Sequence, residues 1–252
     1  MPGYVAVITA MRNEMVPIRR LVSLTKIPSR PIASRGPTDG VASPHGPRSA
    51  TTYVGRHKGV KIVASVCGVG TERARAATRD LFQLFYLEHV LIVGIAGAIS
   101  TAVAVGDLVV PKIVVDHATA NEFYATPIKT LSPNGTLMTS DTSLSGSESL
   151  SSLEKLGVIA VDMETAAVAQ VCTENNCTWS SIRSISDVVA DGTLNAEILA
   201  LAGPDGRPKV VALMKYLGRH PSHLAKLSRL GRDSNIATKC AARATFLALE
   251  SL

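Results

Sequence analysis

Aromatic residues are scarce: one tryptophan, four phenylalanines and five tyrosines in 252 positions, or 4%. So few rings fit an Ala/Val/Leu-rich α/β core. Cysteines number four, Cys67, Cys172, Cys177 and Cys240, with neither metal-ligand spacing nor a disulfide framework. They read as reduced thiols of a cytoplasmic protein, and no metal or cofactor is expected. No apolar run reaches the length of about 20 residues that a membrane-spanning helix needs. The N-terminus lacks the basic and apolar regions of a signal peptide. Acids are nearly missing from 207–243, where nine Lys and Arg face only Asp233. That stretch contributes +8 against a net charge of +6, so the remainder is near −2. A basic segment of this kind can mark nucleic-acid or membrane contact. No nucleic-acid module motif accompanies it, and a solvated helical face is the plainer reading.

What is present is organised around Gly157 to Asp187. Val158 to Val161 is an apolar run of strand type, followed by Asp162-Met163-Glu164. Apolar positions 167, 168, 171 and 172 then follow helical spacing. Asn175-Asn176 breaks the helix, and a second run, Trp179 to Ile185, ends in Ser186-Asp187. The stretch reads strand–helix–strand with acids at both strand ends. In open α/β sheets ligands bind outside those ends, so Glu164 and Asp187 are expected to meet over one crevice.

The rest of the chain continues the alternation. Tyr4 to Ile8 is a buried strand leading to a helix near Met15 to Leu24. Glu14 then suits the helix dipole, or faces the crevice from the top of the strand. Residues 27–50, rich in Pro, Ser, Gly and Arg, read as a flexible surface loop. Thr51 to Gly55 and Val60 to Val66 form a hairpin. Gly68-Val69-Gly70 enters a helix that Thr71 caps and that runs to about Tyr86. A glycine turn there can hold an anion, but it lacks both the dinucleotide fingerprint and the P-loop pattern. Val90 to Val93 is a strand ending in a small-residue turn, Gly94 to Ala98, where Ala96 and Gly97 admit a ligand close to the backbone. A strand is expected over 108–115, a loop over 116–139 holding Phe123 and Tyr124, and a short helix after the serines of 140–152. The segments after 194 read as helical to the C-terminus. The whole is a single α/β domain with a sheet covered on both faces.

These residues resemble a family. Ala10-Met11 with Glu14, Gly68-Val69-Gly70, Gly94-Ile95-Ala96-Gly97, Val161-Asp162-Met163-Glu164-Thr165-Ala166-Ala167 and Arg183-Ser184-Ile185-Ser186-Asp187 fall in the order seen in the nucleoside phosphorylase/nucleosidase superfamily. The chain looks most like its 5′-methylthioadenosine/S-adenosylhomocysteine nucleosidases. The resemblance implies a three-layer sandwich around a mixed sheet, and cleavage of the N-glycosidic bond of a purine nucleoside. By that resemblance Asp187, held by Ser186, protonates the purine N7. Glu164 grips the ribose 2′- and 3′-hydroxyls, Met163 packs on the ribose face, Glu14 is the general base for water, and Arg183 orients it. The expected partners are a small-molecule purine nucleoside and further copies of the chain, in a homodimer or larger homo-oligomer, with no nucleic acid.

Three departures stand out. Asp162 replaces the nucleosidases' usual Glu, Ile95 replaces a serine, and the base-stacking aromatic expected near Ser143 is missing, with Phe123 or Tyr124 as substitutes. The Gly94–Gly97 motif and the basic C-terminal segment look more like the hopanoid-associated phosphorylase branch, whose substrate is a lipid-linked adenine nucleoside. Hydrolysis, phosphorolysis and a non-enzymatic nucleoside- or nucleic-acid-binding module therefore stand as alternatives. Hydrolysis comes first, because a carboxylate beside the anomeric carbon favours water over anionic phosphate.

Overall fold

The computed structural model describes residues 3–27, 51–142, 147–188 and 223–252. The expected loop beyond residue 27, position 143, the loop after Asp187 and the basic stretch 207–222 lie outside them. In chain order the elements are β1 (Tyr4–Thr9), α1 (Arg12–Val22), β2 (Thr25–Lys26), β3 (Thr51–His57), β4 (Val60–Val66), α2 (Thr71–Leu84) and β5 (Leu87–Ala98). β6 (Leu108–Val109), β7 (Ile113–Asp116), β8 (Glu122–Tyr124), β9 (Thr136–Thr139) and α3 (Ser147–Lys155) follow. β10 (Val158–Asp162), α4 (Thr165–Glu174), β11 (Thr178–Val188) and α5 (Leu224–Leu249) complete them.

One mixed sheet carries the molecule, in the order β2-β3-β4-β1-β5-β10-β9-β7-β8, with β11 joined to β5 and β6 joined to β11. Strand residues alternate between its faces. Ala6 and Ile8 of β1 enter one apolar cluster with Val90 and Ile92 of β5 and with Val168 and Cys172 of α4. Val5, Val7, Leu91 and Val93 point the other way, onto Met15 and Ile18 of α1 and Ala241 and Ala244 of α5. Both faces are thus buried, which is why these strands read as continuous apolar runs.

β5 positions the site. Its first half pairs with parallel β1, from Tyr4↔Leu87 to Ile8↔Ile92. Its last residues pair with antiparallel β10, Val161↔Gly97 and Ala160↔Ala98. Both neighbours share one edge of β5, while β11 runs parallel along the other edge from His89 to Ala98. Between Ile92 and Gly97 the first edge has no strand partner in these pairings. The backbone groups of that gap must find other partners.

Several sequence expectations are corrected here. Gly94 to Ala98 is not a turn but the continuation of β5. The strand expected over 108–115 is broken into β6 and β7 around Pro111, which has no N–H to donate to a ladder. The expected loop 116–139 contains β8 and β9, held by pairing with β7. The N-cap of α2 is Gly70 rather than Thr71, and its φ of 103° is the left-handed region that glycine tolerates. Among the described residues no helix is long and apolar enough to cross a membrane. In the described part of the basic segment, Arg229, Arg232, Lys239 and Arg243 stand on the exposed side of α5. Arg229 and Arg232 approach Asp233 at 3.5 and 3.7 Å.

Candidate active site

The gap in the β5 edge is filled by Glu14. This residue lies in the first turn of α1, and its Oε2 accepts a hydrogen bond from the Met11 N–H at 2.7 Å. Its Oε1 accepts one from the Ile95 N–H at 2.9 Å, in the gap between β1 and β10. Glu14 thus serves the helix start and reaches the β5 edge at the same time. The side chain is 2% exposed. Burial raises its proton affinity above that of an ordinary carboxyl, opposed by the Arg183 charge and by the Met11 and Ile95 N–H groups.

Gly94 makes this approach possible. A Cβ at that position would lie 2.3 Å from Arg183 Nη1 and 2.5 Å from Glu14 Oε1. Gly94 is expected to admit side chains of the protein's own site as well as any ligand. Gly94→Ala should therefore lower stability by about 1–3 kcal/mol through overpacking, read from the urea midpoint. An unchanged midpoint would show that the two charged ends can part freely.

Arg183 stands on β11 opposite Gly94 and is 1% exposed. Sequence reasoning pairs it with Glu14, and in the structure that pairing is a charge contact beside two closer partners. Its close ion-pair partner is Asp162, at 2.6 Å from Nη2, with Glu164 next at 3.5 Å. Glu14 is linked to it through charge, its Oε1 within about 5 Å of Nη1 but not hydrogen-bonded to it. Its Nη1 has no hydrogen-bond partner among the described residues. Asp162, the last residue of β10, is the site residue that sequence reasoning missed. Its Oδ1 accepts from the Thr139 hydroxyl at 2.6 Å. Its Oδ2 accepts from the Thr165 hydroxyl, which in turn accepts from Arg183 Nη2 at 2.9 Å.

Glu164 precedes α4. Its Oε1 accepts from the Gly70 N–H at 3.0 Å. Asp141 takes the neighbouring donors, the Thr71 N–H at 2.9 Å and the Thr71 hydroxyl. The glycine turn at the start of α2 thus offers its N–H groups to two carboxyl groups of this chain. Burial pushes Glu164 up to about 8; Arg183 and the Gly70 N–H pull it down, and Asp162 adds to the rise. Cys67, just after β4, is pushed up by burial and by Glu164 and Glu14.

Asp187 lies further along β11. A bulge between Ile185 and Asp187 makes Ser186 the extra residue and sets Asp187 opposite Gly97. The Ser186 hydroxyl donates to Asp187 Oδ1 at 2.6 Å. Both residues are buried. Gly97 therefore separates Asp187 on one side from Val161 on the other. Ala96 is buried beside it, and Met163 is half-buried between Asp162 and Glu164. Phe123 sits half-buried on β8, three strands beyond β10, and packs against the apolar cluster that contains Ala96. Among the described residues no three His, Cys, Asp or Glu side chains are grouped to hold a metal ion.

Comparison with known proteins gives the family and the fold. The model of the phosphorylase superfamily matches residues 4–133 and 125–205. The 5′-methylthioadenosine/S-adenosylhomocysteine nucleosidase of Buchnera aphidicola subsp. Acyrthosiphon pisum is 27% identical over 164 residues, 54% of this chain and 71% of its own. That of Maridesulfovibrio salexigens is 27% identical over 200 residues, 66% and 87% of the two chains. The crystal structure of the Neisseria meningitidis nucleosidase with methylthio-immucillin-A has a TM-score of 0.70 at 19% identity, covering 99% of both chains. Futalosine hydrolase of Helicobacter pylori reaches 0.69 at 17% identity, over 99% and 98%. At such identities the structural likeness speaks for the mixed-sheet fold, while the match running from residue 4 to residue 205 means that the chain belongs to the phosphorylase superfamily.

Proposed function

We propose that the protein hydrolyses the N-glycosidic bond of an adenine nucleoside such as 5′-methylthioadenosine or S-adenosylhomocysteine, releasing adenine. The observation that carries this reading is Glu14, buried in the β5 gap on two backbone N–H groups, with its proton affinity raised. A carboxylate so placed is a stronger base than one in water, and a base nearer neutrality is suited to taking a proton from an attacking water. The nucleosidase relatives support the same chemistry.

The remaining roles follow from what the reaction needs. Cleavage builds positive charge on the ribose and negative charge on the departing base. Asp187 delivers a proton to the purine N7, and Ser186 fixes the carboxyl that delivers it. Glu164 takes the ribose hydroxyls, Met163 packs on the sugar face, and Ala96 and Gly97 let the base lie against the β5 backbone. Arg183 holds the carboxylates in register and offers Nη1 toward Glu14. Phosphate is a poor fit on this reading, because the two leading N–H groups of α2 already carry Glu164 and Asp141.

The test is product identity. With 5′-methylthioadenosine or S-adenosylhomocysteine, adenine and a free ribose derivative should appear by mass spectrometry, with no gain in rate from added phosphate. A ribose 1-phosphate as the main product would replace hydrolysis by phosphorolysis. No adenine from any adenosine derivative would leave a binding module.

A further inference from the structure

We propose that Asp162 is a positioning residue for that hydrolysis, holding the Arg183 guanidinium against the start of α4 and taking up its charge in place of Glu14. The inference rests on the functional reading above, but its physical part does not.

Three buried carboxylates, Glu14, Asp162 and Glu164, share the Arg183 cation. The division among them is unequal. Asp162 stands 2.6 Å from Nη2 and Glu164 3.5 Å. The Thr165 hydroxyl reinforces the first contact, accepting from Nε at 3.3 Å and Nη2 at 2.9 Å while donating to Asp162 Oδ2. Asp162 is itself fixed. It accepts from the Thr139 hydroxyl at 2.6 Å and from the Thr165 N–H at 3.3 Å, and Thr139 accepts from the Ala166 N–H at 2.9 Å. These bonds bind β9, β10, the first turn of α4 and the arginine of β11 into one unit.

The consequence falls on Glu14. A guanidinium that closed to hydrogen-bonding contact with Glu14 would stabilise its anion further and make it a weaker base, since a close opposite charge lowers a carboxyl pKa by about 1–3 units. Anchored by Asp162, the guanidinium keeps Nη1 free of hydrogen bonds while standing within about 5 Å of Glu14 Oε1, so it opposes the burial of Glu14 without pairing with it. The other groups facing the pair are Cys67 after β4 and Glu164 ahead of α4. Cys67 is a neutral thiol there, raised by burial. α5 turns Ala, Thr and Leu side chains inward and adds no buried charge among its described residues.

Asp162→Asn tests this, because it keeps an acceptor for Thr139 and removes the anion. The acid limb of the kcat profile should move to lower pH by about one unit. Plateau kcat should fall by about three- to ten-fold, as for a weakened base, with KM changed less than about two-fold. Asp162→Glu keeps the charge and should keep the native limb. The Glu14 carboxyl is also titrated directly by 13C NMR, assigned by difference from Glu14→Gln. That reading needs no turnover, so it stands even if the native protein releases no adenine. If Asp162→Asn lowers only thermal stability, with limb and carboxyl titration unmoved, Asp162 merely caps α4 and the proposal fails. Should Asp162→Asn not be recovered folded, Asp162→Glu decides: a native Glu14 titration supports the proposal, and a shifted one overturns it.

Discussion

Asp187→Asn is expected to lower turnover by about 10²–10⁴-fold, the usual size of a general-acid contribution, while the fold stays intact. Asparagine is nearly isosteric and still accepts the Ser186 hydroxyl that Asp187 Oδ1 accepts at 2.6 Å. What it lacks is an acidic proton. The bulge at Ser186 aims this one side chain, so the substitution leaves the β11–β5 ladder in place. The measurement is adenine release alongside a urea unfolding curve. A folded variant with near-native rate would take Asp187 out of the reaction.

Arg183→Met should be the most damaging change to stability, about 3–5 kcal/mol, because removing one member of a buried ion pair leaves the others uncompensated. Asp162 at 2.6 Å and Glu164 at 3.5 Å lose their cation, and Glu14 loses its nearby positive charge. The deficit has a pH signature. Glu164 is already pushed up to about 8, and Glu14 is raised above its ordinary value of 4.5. Without Arg183 both bind their protons more tightly still. A carboxyl with a raised folded pKa makes the native state the better proton binder, so stability falls as pH rises from the unfolded value through the folded one. The variant should therefore be weakest at pH 8 and recover much of its loss near pH 5. Urea unfolding at the two pH values checks this, and an equal deficit at both would refute the charge argument.

How much of this was legible depends on the range of the interactions. The strand–helix–strand order of 157–187 is local, carried by apolar spacing and by breakers such as Asn175-Asn176, and the structure keeps it nearly residue for residue. Glu14 was legible as a carboxylate after a strand. Asp162 was visible in the sequence, but its importance was not. Its hold on Arg183 depends on the register of β9 against β10 and of β11 against β5, which no local pattern encodes. Gly94 was misread for a related reason. Small residues after a strand look like a turn, and only the crowding of Glu14 and Arg183 around that point explains a glycine inside β5. Phe123 was read as part of a loop because a two-aromatic segment looks like one until β7 supplies its partner strand.

The change of neighbours along β5 also bears on how the molecule is made. β1 and β10 meet the same strand edge although about 150 residues separate them in the chain. β10 reaches that edge by pairing with β5, Val161 on Gly97, a span like that of the β1–β4 pairing, Val5 on Ile62, so the order of synthesis rather than the entropy of closure sets when it arrives. A nascent chain can thus complete β1, β4 and β5 with Glu14 in place while the far wall of its gap has yet to be synthesised. Recognition of a ligand is then a property of the finished chain, arriving with the last strands rather than with the first core.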